Sequence, residues 1–224
     1  MPRPQSNAGA EPMHQLVDST GLKLCGAGEW LVEKHGTRTR RSRRKQHIGM
    51  DVDNGQIAAV ALTVNHVDVS SQVSALLQVV GPVASFTGDG DDDREDVSTT
   101  FIERYPEATV IVPPRSTAMP SETAVTEPTQ RDRHLQFITE HGRMGVAAQG
   151  SARVSAWNGS GGWQKASGYT TRARVEATIG RFKQVIDDGL RSRTDQRRAT
   201  EVDIAVHALN RMLEFGRPIS VRIA

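Results

Sequence analysis

Cysteine is nearly absent from the chain: Cys25 is the single cysteine among 224 residues. This excludes an internal disulfide and a zinc site built from several thiolates, and it fits a reducing compartment. No apolar run approaches the ~18–20 residues needed to span a bilayer. The polar segment 1–12 lacks the apolar centre of a signal peptide. We therefore expect a soluble, cytoplasmic protein without membrane contact.

Aromatic residues are also scarce, at 4% of the chain against 37% hydrophobic residues in total. This composition predicts a core built from Val, Ile, Leu and Ala. The length suits one domain of ordinary size. Composition along the chain predicts a disordered arm at 1–13, one domain over 14–216 with loops or insertions at 113–130 and 146–162, and a tail at 217–224.

Charge is unevenly distributed, although the net charge is only +2. Acidic residues crowd into 89–96, and six basic residues crowd into 38–45. Either run alone is equally well interpreted as a solvated loop. Together they suit a protein that holds both phosphates and metal ions. The basic residues are Arg38, Arg40, Arg41, Arg43, Arg44 and Lys45.

The apolar pattern predicts an α/β fold. Five β-rich runs indicate strands, over 14–24, 46–52, 56–64, 83–87 and 108–112. Helical spacing predicts helices over 68–80, 93–104, 131–141, 171–187 and 200–215. The order of strand, hairpin, helix, strand, helix and strand matches the RNase H-like topology, although other α/β folds share it.

Local sequence predicts the ends of several elements. Asp53-Asn54-Gly55 predicts a tight hairpin turn, and residues 37–44 are expected to form a basic loop. Thr200 with Asp203 predicts a capping box for the last helix. Gly189 and Gly216 stand where C-terminal helix caps belong.

Asp18 and Asp89 each lie within or at the end of an apolar strand. A buried carboxylate is costly unless it is paired or bound to a metal ion. A single strand aspartate is most simply a hydrogen-bonded edge residue. Two aspartates on neighbouring strands favour a shared site.

A polar stripe on the helix near 171–187 is the most informative feature. At about 100° per residue, its four members fall within about 60° of one another. They are Tyr169, Arg172, Glu176 and Lys183. A separate apolar stripe packs on the sheet, so the polar stripe faces the edge where Asp18 and Asp89 emerge. An ordinary amphipathic helix explains the apolar stripe equally well, but not the aligned polar one.

The spacing Tyr169-x2-Arg172-x3-Glu176-x6-Lys183 resembles the signature around the last acid of bacterial DDE-type insertion-sequence transposases. The resemblance also covers VDSTGLKL around Asp18, RRSRRKQHIGMDVDNGQI, the strand leading to Asp89, and LNRMLEFGRP near the end. It therefore extends over most of the chain. It implies an RNase H-like catalytic domain with a mixed five-stranded sheet flanked by helices.

The resemblance also implies a site. Asp18, Asp89 and Glu176 would be the catalytic, metal-binding triad. Two Mg²⁺ ions, for which Mn²⁺ can substitute, suit these oxygen ligands and would sit ~3.5–4 Å apart, with Asp18 bridging both. Arg172 and Lys183 would contact phosphates or orient Glu176, and Tyr169 would lie beside the DNA strand. We expect His47 and His66 to be structural or solvent-facing.

The implied function is metal-dependent cleavage and strand transfer on double-stranded DNA, at transposon ends and target, with a homodimer as a further expectation. The basic residues of 38–45 would hold the DNA backbone without reading its sequence. Two alternatives remain open. One is a DNA-binding remnant without catalysis, and the other is an RNase H-like nuclease that hydrolyses without joining.

Three features depart from the family pattern. Only 17 residues precede Asp18, where relatives usually carry a helical DNA-binding region. Acidic residues at 91–93 follow the second acid and are expected to disturb metal spacing or repel phosphate. Residues 146–162 look inserted between Gly145 and Trp163. These departures favour a truncated or decayed copy.

Overall fold

A mixed sheet runs through the computed structural model of the chain, which describes residues 12–25, 43–67, 70–77, 81–142 and 162–216. Its strands are β1 (Met13–Leu24), β2 (Arg43–Asp51), β3 (Ile57–Val64), β4 (Val83–Thr87), β5 (Thr109–Ile111) and β6 (Gly189–Leu190).

Five strands lie in the order β3-β2-β1-β4-β5. The first three are antiparallel, and β4 and β5 are parallel to β1. This is the RNase H-like topology, so the predicted fold class and strand pattern are confirmed. The two-residue strand β6, which was not predicted, pairs with β1 at Lys23 and Leu24, beyond the end of β4.

The hairpin between β2 and β3 forms where the turn sequence predicts it. The side chain of Asp51 accepts hydrogen bonds from the backbone N–H of Asp53 at 2.9 Å and from Asn54 Nδ2 at 2.6 Å. Gly55 has a φ of +72°, which favours glycine.

The predicted basic loop at 37–44 is wrong at its end, because Arg43 and Arg44 already belong to β2. Pairing with β1 extends β2 to this point, as Lys23 lies opposite Arg43 and Leu22 opposite Arg44. Residues 37–42 lie outside the described ranges.

The helices are α1 (Val73–Leu76), α2 (Glu95–Arg104), α3 (Gln130–His141), α4 (Trp163–Ala166), α5 (Ala173–Val185) and α6 (Asp195–Glu214). Short 3₁₀ turns precede three of the elements, at Ser70–Gln72, Gly90–Asp92 and Tyr169–Arg172. The helix predicted over 68–80 is therefore a 3₁₀ turn and one α-helical turn, and its ends lie outside the described ranges. Within those ranges, no helix is long and apolar enough to cross a membrane.

Two predicted helix caps are wrong. The last helix begins after Thr194, whose hydroxyl accepts a hydrogen bond from the backbone N–H of Arg197. Thr200 is inside that helix, where its hydroxyl donates to the carbonyl of Gln196. Gly189 lies in β6, against Cys25, and caps no helix. Gly216, with a φ of +74°, follows α6 as predicted.

The two faces of the sheet are covered by different helices. Helices α5 and α6 pack on one face with Leu16, Ile48 and Leu22, while α1 and α2 pack on the other with Val17 and Phe86. Side chains alternate along a strand, so Asp18 shares the face of Leu16, toward α5.

The core is aliphatic, as composition predicts: most of its buried hydrophobic side chains are Val, Ile, Leu or Ala, and a few large aromatic rings are added to them. The largest fully buried side chains include Trp163, Phe86, Phe101 and Phe182. The rings of Phe86 and Phe101 lie 5.1 Å apart between their centroids. These four rings bury large apolar areas within an otherwise aliphatic core.

The chain on either side of residues 143–161 meets at one point, because the backbone N–H of Trp163 donates to the carbonyl of Gly142 at 3.1 Å. Closely spaced ends of this kind can accommodate an insertion, and the insertion at 146–162 stays a prediction. Residues 146–161 themselves lie outside the described ranges.

Candidate active site

The register of β1 and β4 brings two aspartates side by side. Leu16 pairs with Thr87 across these parallel strands. Asp18 and Asp89 each follow two residues later, so they lie level with each other at the same edge. Helix α5 crosses the same face of the sheet and presents Glu176 in its first turn. Three acids that are distant in sequence therefore converge.

The point of convergence is the guanidinium of Arg172. Its Nη1 lies 2.6 Å from Glu176 Oε1, and its Nη2 lies 3.3 Å from Asp18 Oδ1 and 3.6 Å from Asp89 Oδ2. The side chains of Asp18 and Arg172 are only 15% and 16% exposed, against 60% for Glu176. Two members of the cluster are thus largely withdrawn from water, while Glu176 remains accessible.

The electrostatics of the cluster favour a further cation. Burial raises the pKa of Asp18, although a hydrogen bond from the backbone N–H of Ser19 and the charge of Arg172 oppose this rise. Three carboxylates against one guanidinium leave two negative charges when all are ionised. An all-oxygen donor set with that surplus fits a hard divalent cation.

The carboxylates are not arranged as a ready-made coordination shell. Within the described ranges, no three His, Cys, Asp or Glu side chains are grouped as metal ligands. The three acids meet on Arg172 instead, so a metal ion would have to share or take over the oxygens that this guanidinium now contacts. The carboxylate oxygens present here nevertheless suit a hard divalent metal ion.

The remaining residues of the polar stripe are divided between two places. Tyr169 lies near the acids: burial raises its pKa, with Arg172 opposing and Asp89 adding to the rise. Its ring packs on Trp163 at 5.4 Å between centroids. Lys183 lies two turns further along α5, and its charge helps to lower the pKa of Asp188. The main cause of that lowered pKa is Lys23, whose Nζ lies 2.7 Å from Asp188 Oδ2.

A tight turn fixes Asp89. Its side chain accepts a hydrogen bond from the backbone N–H of Asp91 at 2.8 Å, and its own N–H donates to Asp92 Oδ2 at 3.1 Å. Asp92 is buried, and this burial, reinforced by Asp89, raises the pKa of Asp92 to about 7. A Cβ at Gly88 would lie 2.5 Å from Asp92 Oδ2, so this arrangement requires a glycine there.

Asp93 is directed away from the triad. Its carboxylate accepts hydrogen bonds from Arg131 Nε at 2.7 Å and from the backbone N–H of Arg115 at 2.8 Å. The Arg115 side chain in turn donates to the carbonyls of Gly90 and Asp91. Of the acids at 91–93, only Asp91 is exposed to solvent. Most of the extra acidic side chains at 91–93 are therefore paired or buried within the local structure.

Sequence reasoning missed the supporting roles of Asp92, Asp93, Arg115 and Trp163. Asp93 and Arg131 are 38 residues apart, and no local pattern links them. The Asp89-x2-Asp92 spacing, which resembles a capping box, was a usable signal for the turn.

The structure describes three of the six cations predicted to bind DNA at 38–45. Arg43, Arg44 and Lys45 begin β2, and Arg44 pairs with Asp195 of α6 at 2.7 Å. The other three, Arg38, Arg40 and Arg41, lie outside the described ranges. His47 is buried with its Nε2 2.8 Å from Thr63 Oγ1, and His66 is exposed, as their predicted structural and solvent-facing roles require.

Comparison with known families adds an independent finding. One segment of the chain, residues 9–96, matches a known family. This segment contains both strand aspartates, Asp18 and Asp89, but not Glu176. Members of the matched family are generally phosphodiester-transfer enzymes that typically use a divalent metal ion. Residues 9–96 of this chain match the transposase DDE domain, which implies DNA processing related to transposition.

Proposed function

We propose that this chain is the catalytic domain of a DDE-type insertion-sequence transposase, which cleaves DNA and transfers the cut strand to a target. The observation that carries the proposal is the convergence of Asp18, Asp89 and Glu176 on one guanidinium. The first two acids lie in the matched segment. Glu176 lies outside it, and its assignment rests on the signature spacing and on this geometry.

The metal ligands in this proposal are Asp18, Asp89 and Glu176. They would hold Mg²⁺, or Mn²⁺ in its place. Metal ions held there would supply activation of an attacking water or 3′-hydroxyl and stabilisation of the leaving oxygen. Asp18, the least exposed of the three acids, would be a ligand held largely out of water.

Arg172 contributes a fixed cation to the same place. Its planar guanidinium can donate two parallel hydrogen bonds to phosphate oxygens. Once the carboxylates bind metal, the donors that now face them are available to the DNA phosphate. Arg172, which orients Glu176 before metal is bound, would then orient the substrate.

Tyr169 and Lys183 extend the substrate path. The Trp163 ring packs against Tyr169 and holds it beside the acids, where it would lie along the DNA strand. Lys183, two turns further along α5, and the cations of 38–45 would contact backbone phosphates of double-stranded DNA. Such contacts fix the position of the duplex but carry no sequence information.

The test is incubation with Mg²⁺ or Mn²⁺ and pre-cut element-end duplex, scored separately for nicking and for joining. Joined product that disappears in D18N supports the proposal. Nicking without joining would instead identify a hydrolytic nuclease. Binding with neither product would identify a DNA-binding remnant, and the proposed activity would be wrong.

A further inference from the structure

We propose that the start of α6, the connection before it and the start of β2 form a second contact surface for the DNA backbone. This inference rests on the proposed function, because it assumes that the site acts on duplex DNA. We name it the α6 basic surface; it consists of Arg44, Arg191, Arg193, Arg197 and Arg198. Four of these five arginines were not among the residues that the sequence singled out.

The fold brings these residues together from distant parts of the chain. Strand β6 ends at Leu190, paired with Leu24 of β1, so residues 191–194 leave the sheet beside the end of β1. Arg44 lies on the other side of β1, opposite Leu22. Its guanidinium reaches Asp195 with hydrogen bonds of 2.7 and 3.2 Å. The start of β2 and the start of α6 are thereby joined.

The connection is held rigidly against the helix. Glu201 accepts hydrogen bonds from the backbone N–H groups of Arg191 and Ser192, at 2.9 and 2.8 Å. Arg198 Nε donates to the carbonyl of Ser192 at 2.9 Å. The arginines on this connection therefore project from a fixed frame, which reduces the entropy lost on binding a ligand.

Positive charge exceeds negative charge on this surface. Segment 191–201 with Arg44 contains five arginines and two carboxylates, Asp195 and Glu201. Asp187, just before this segment, pairs with Arg191 at 3.8 Å, which leaves a surplus of two positive charges. Asp195 is shared by Arg44 and Arg198, both at 2.7 Å. Arg193 and Arg197 are exposed, and their guanidiniums contact no carboxylate among the described residues. These two arginines are free to bind an external anion.

The position of Arg197 and Arg198 is electrostatically unfavourable for the helix alone. Both lie in the first turns of α6, whose N-terminus carries positive partial charge and is stabilised by acids. Arginine rather than lysine also provides a planar fork that matches phosphate. Repeated phosphates, as in a nucleic-acid backbone, satisfy such a cluster better than one small anion.

The surface lies on the same face of the sheet as the triad. Asp18 and Leu22 point to one face, and Arg44 is the cross-strand partner of Leu22. Four strand residues correspond to about 13 Å, which is the length of about four base pairs at ~3.4 Å each. A duplex engaged at Asp18 would pass the α6 basic surface within half a helical turn.

The experiment compares R193Q/R197Q with wild type for binding of a random-sequence 20-base-pair duplex, by fluorescence anisotropy between 50 and 200 mM NaCl. Neither side chain makes a hydrogen bond or an ion pair among the described residues, so the fold should survive, as melting temperature will verify. The double variant R104Q/R133Q removes the same charge from exposed sites on α2 and α3. It is the matched control.

We expect the log–log salt slope of R193Q/R197Q to fall by up to ~1.8, at ~0.9 per lost phosphate contact, and that of the control to stay at the wild-type value. Over this salt range the full change corresponds to about 12-fold in relative affinity. An unchanged slope, or an equal fall in the control, would overturn the surface.

Nicking in the same preparations separates this inference from the proposed function. If wild type nicks and joins while the slope of R193Q/R197Q is unchanged, only the α6 basic surface is wrong. If the slope falls but no preparation nicks DNA with metal, the catalytic proposal is wrong and the surface stands. Absence of duplex binding by wild type would contradict both.

Discussion

Two sets of buried carboxylates in this protein differ in how well they are supplied with hydrogen-bond donors. Asp132 accepts four hydrogen bonds, from the backbone N–H and hydroxyl groups of Ser121 and Thr129, all between 2.7 and 3.0 Å. Although burial raises the pKa of Asp132, these donors outweigh it and hold that pKa well below its usual range. The pKa of Asp93, whose carboxylate is bound by Arg131 and Arg115, is likewise lowered.

Asp18 is supplied much less well. Among the residues that the structure describes, it accepts one short hydrogen bond, from the backbone N–H of Ser19, and its ion pair with Arg172 is longer, at 3.3 Å. Burial therefore dominates and raises its pKa. The difference is informative: an acid saturated with donors stabilises the fold, whereas one that is buried and undersupplied can gain from a metal ion.

The largest effect should come from the triad. We expect D18N, D89N and E176Q each to lower metal-dependent nicking by at least about a thousand-fold, or about 4 kcal/mol of barrier, because each removes an ionised oxygen from a proposed metal ligand. Duplex binding should persist. D91N, which removes a neighbouring exposed carboxylate, is the control and should retain activity. Retained nicking in a triad variant would remove that residue from the site.

A smaller effect, on stability instead of activity, is expected at Asp132. An uncharged amide cannot accept the same four hydrogen bonds, so D132N should lower the free energy of unfolding by about 2–4 kcal/mol. Urea denaturation measures this change. D203N, at an exposed position of α6, should change it little. A neutral D132N would mean that donor saturation does not identify structural acids here.

The two sets should also respond oppositely to pH. For Asp93 and Asp132 the folded pKa lies below the unfolded value of ~3.9. Their stabilisation is thus complete above that value and is lost as the pH falls toward the folded pKa. For Asp18 the folded pKa is raised, so its ionised carboxylate increasingly destabilises the folded state as the pH rises through that pKa.

Melting curves of three proteins test the signs. At neutral pH and without added metal, D18N should melt at or above the wild-type temperature, whereas D132N melts below it. Between about pH 5 and 2, D132N should lose less stability than wild type because one depressed carboxylate is gone. A D18N variant that is destabilised as much as D132N would place Asp18 with the structural acids.

The smallest effect concerns Arg172. Without its guanidinium the three carboxylates repel one another, so R172Q should lose about 1–2 kcal/mol of stability. Mg²⁺ should raise the free energy of unfolding of R172Q by more than that of wild type, because in R172Q the ion does not compete with Arg172 for the carboxylates. R174Q, two residues along α5, is the comparison. Equal Mg²⁺ stabilisation of R172Q and wild type would separate Arg172 from the metal ligands.

Sequence was most informative where the relevant contacts are local or periodic. The turn after Asp51 and the stripe of Arg172 and Glu176 depend on neighbours within a few residues, and both could be predicted. The side-by-side position of Asp18 and Asp89 followed from the RNase H-like topology, in which β1 lies beside β4.

Non-local contacts could not be predicted in the same way. Strand β6 exists because the chain after α5 returns to the end of β1, and nothing within 189–190 signals this pairing. The start of α6 was misplaced because Thr200-x2-Asp203 imitates a cap, whereas Thr194 supplies the real one. Asp93 looked like surplus charge in the sequence, and its partner Arg131 is distant along the chain.

The most direct measurement is anomalous diffraction from crystals soaked in Mn²⁺. If the three acids are metal ligands, an anomalous peak should lie between Asp18 and Asp89, with Glu176 beside it and the Arg172 guanidinium shifted from its present contacts. The peak should vanish in D18N and persist in D132N crystals grown the same way. Wild-type crystals with no peak at this position, at a Mn²⁺ concentration that supports nicking, would contradict the account.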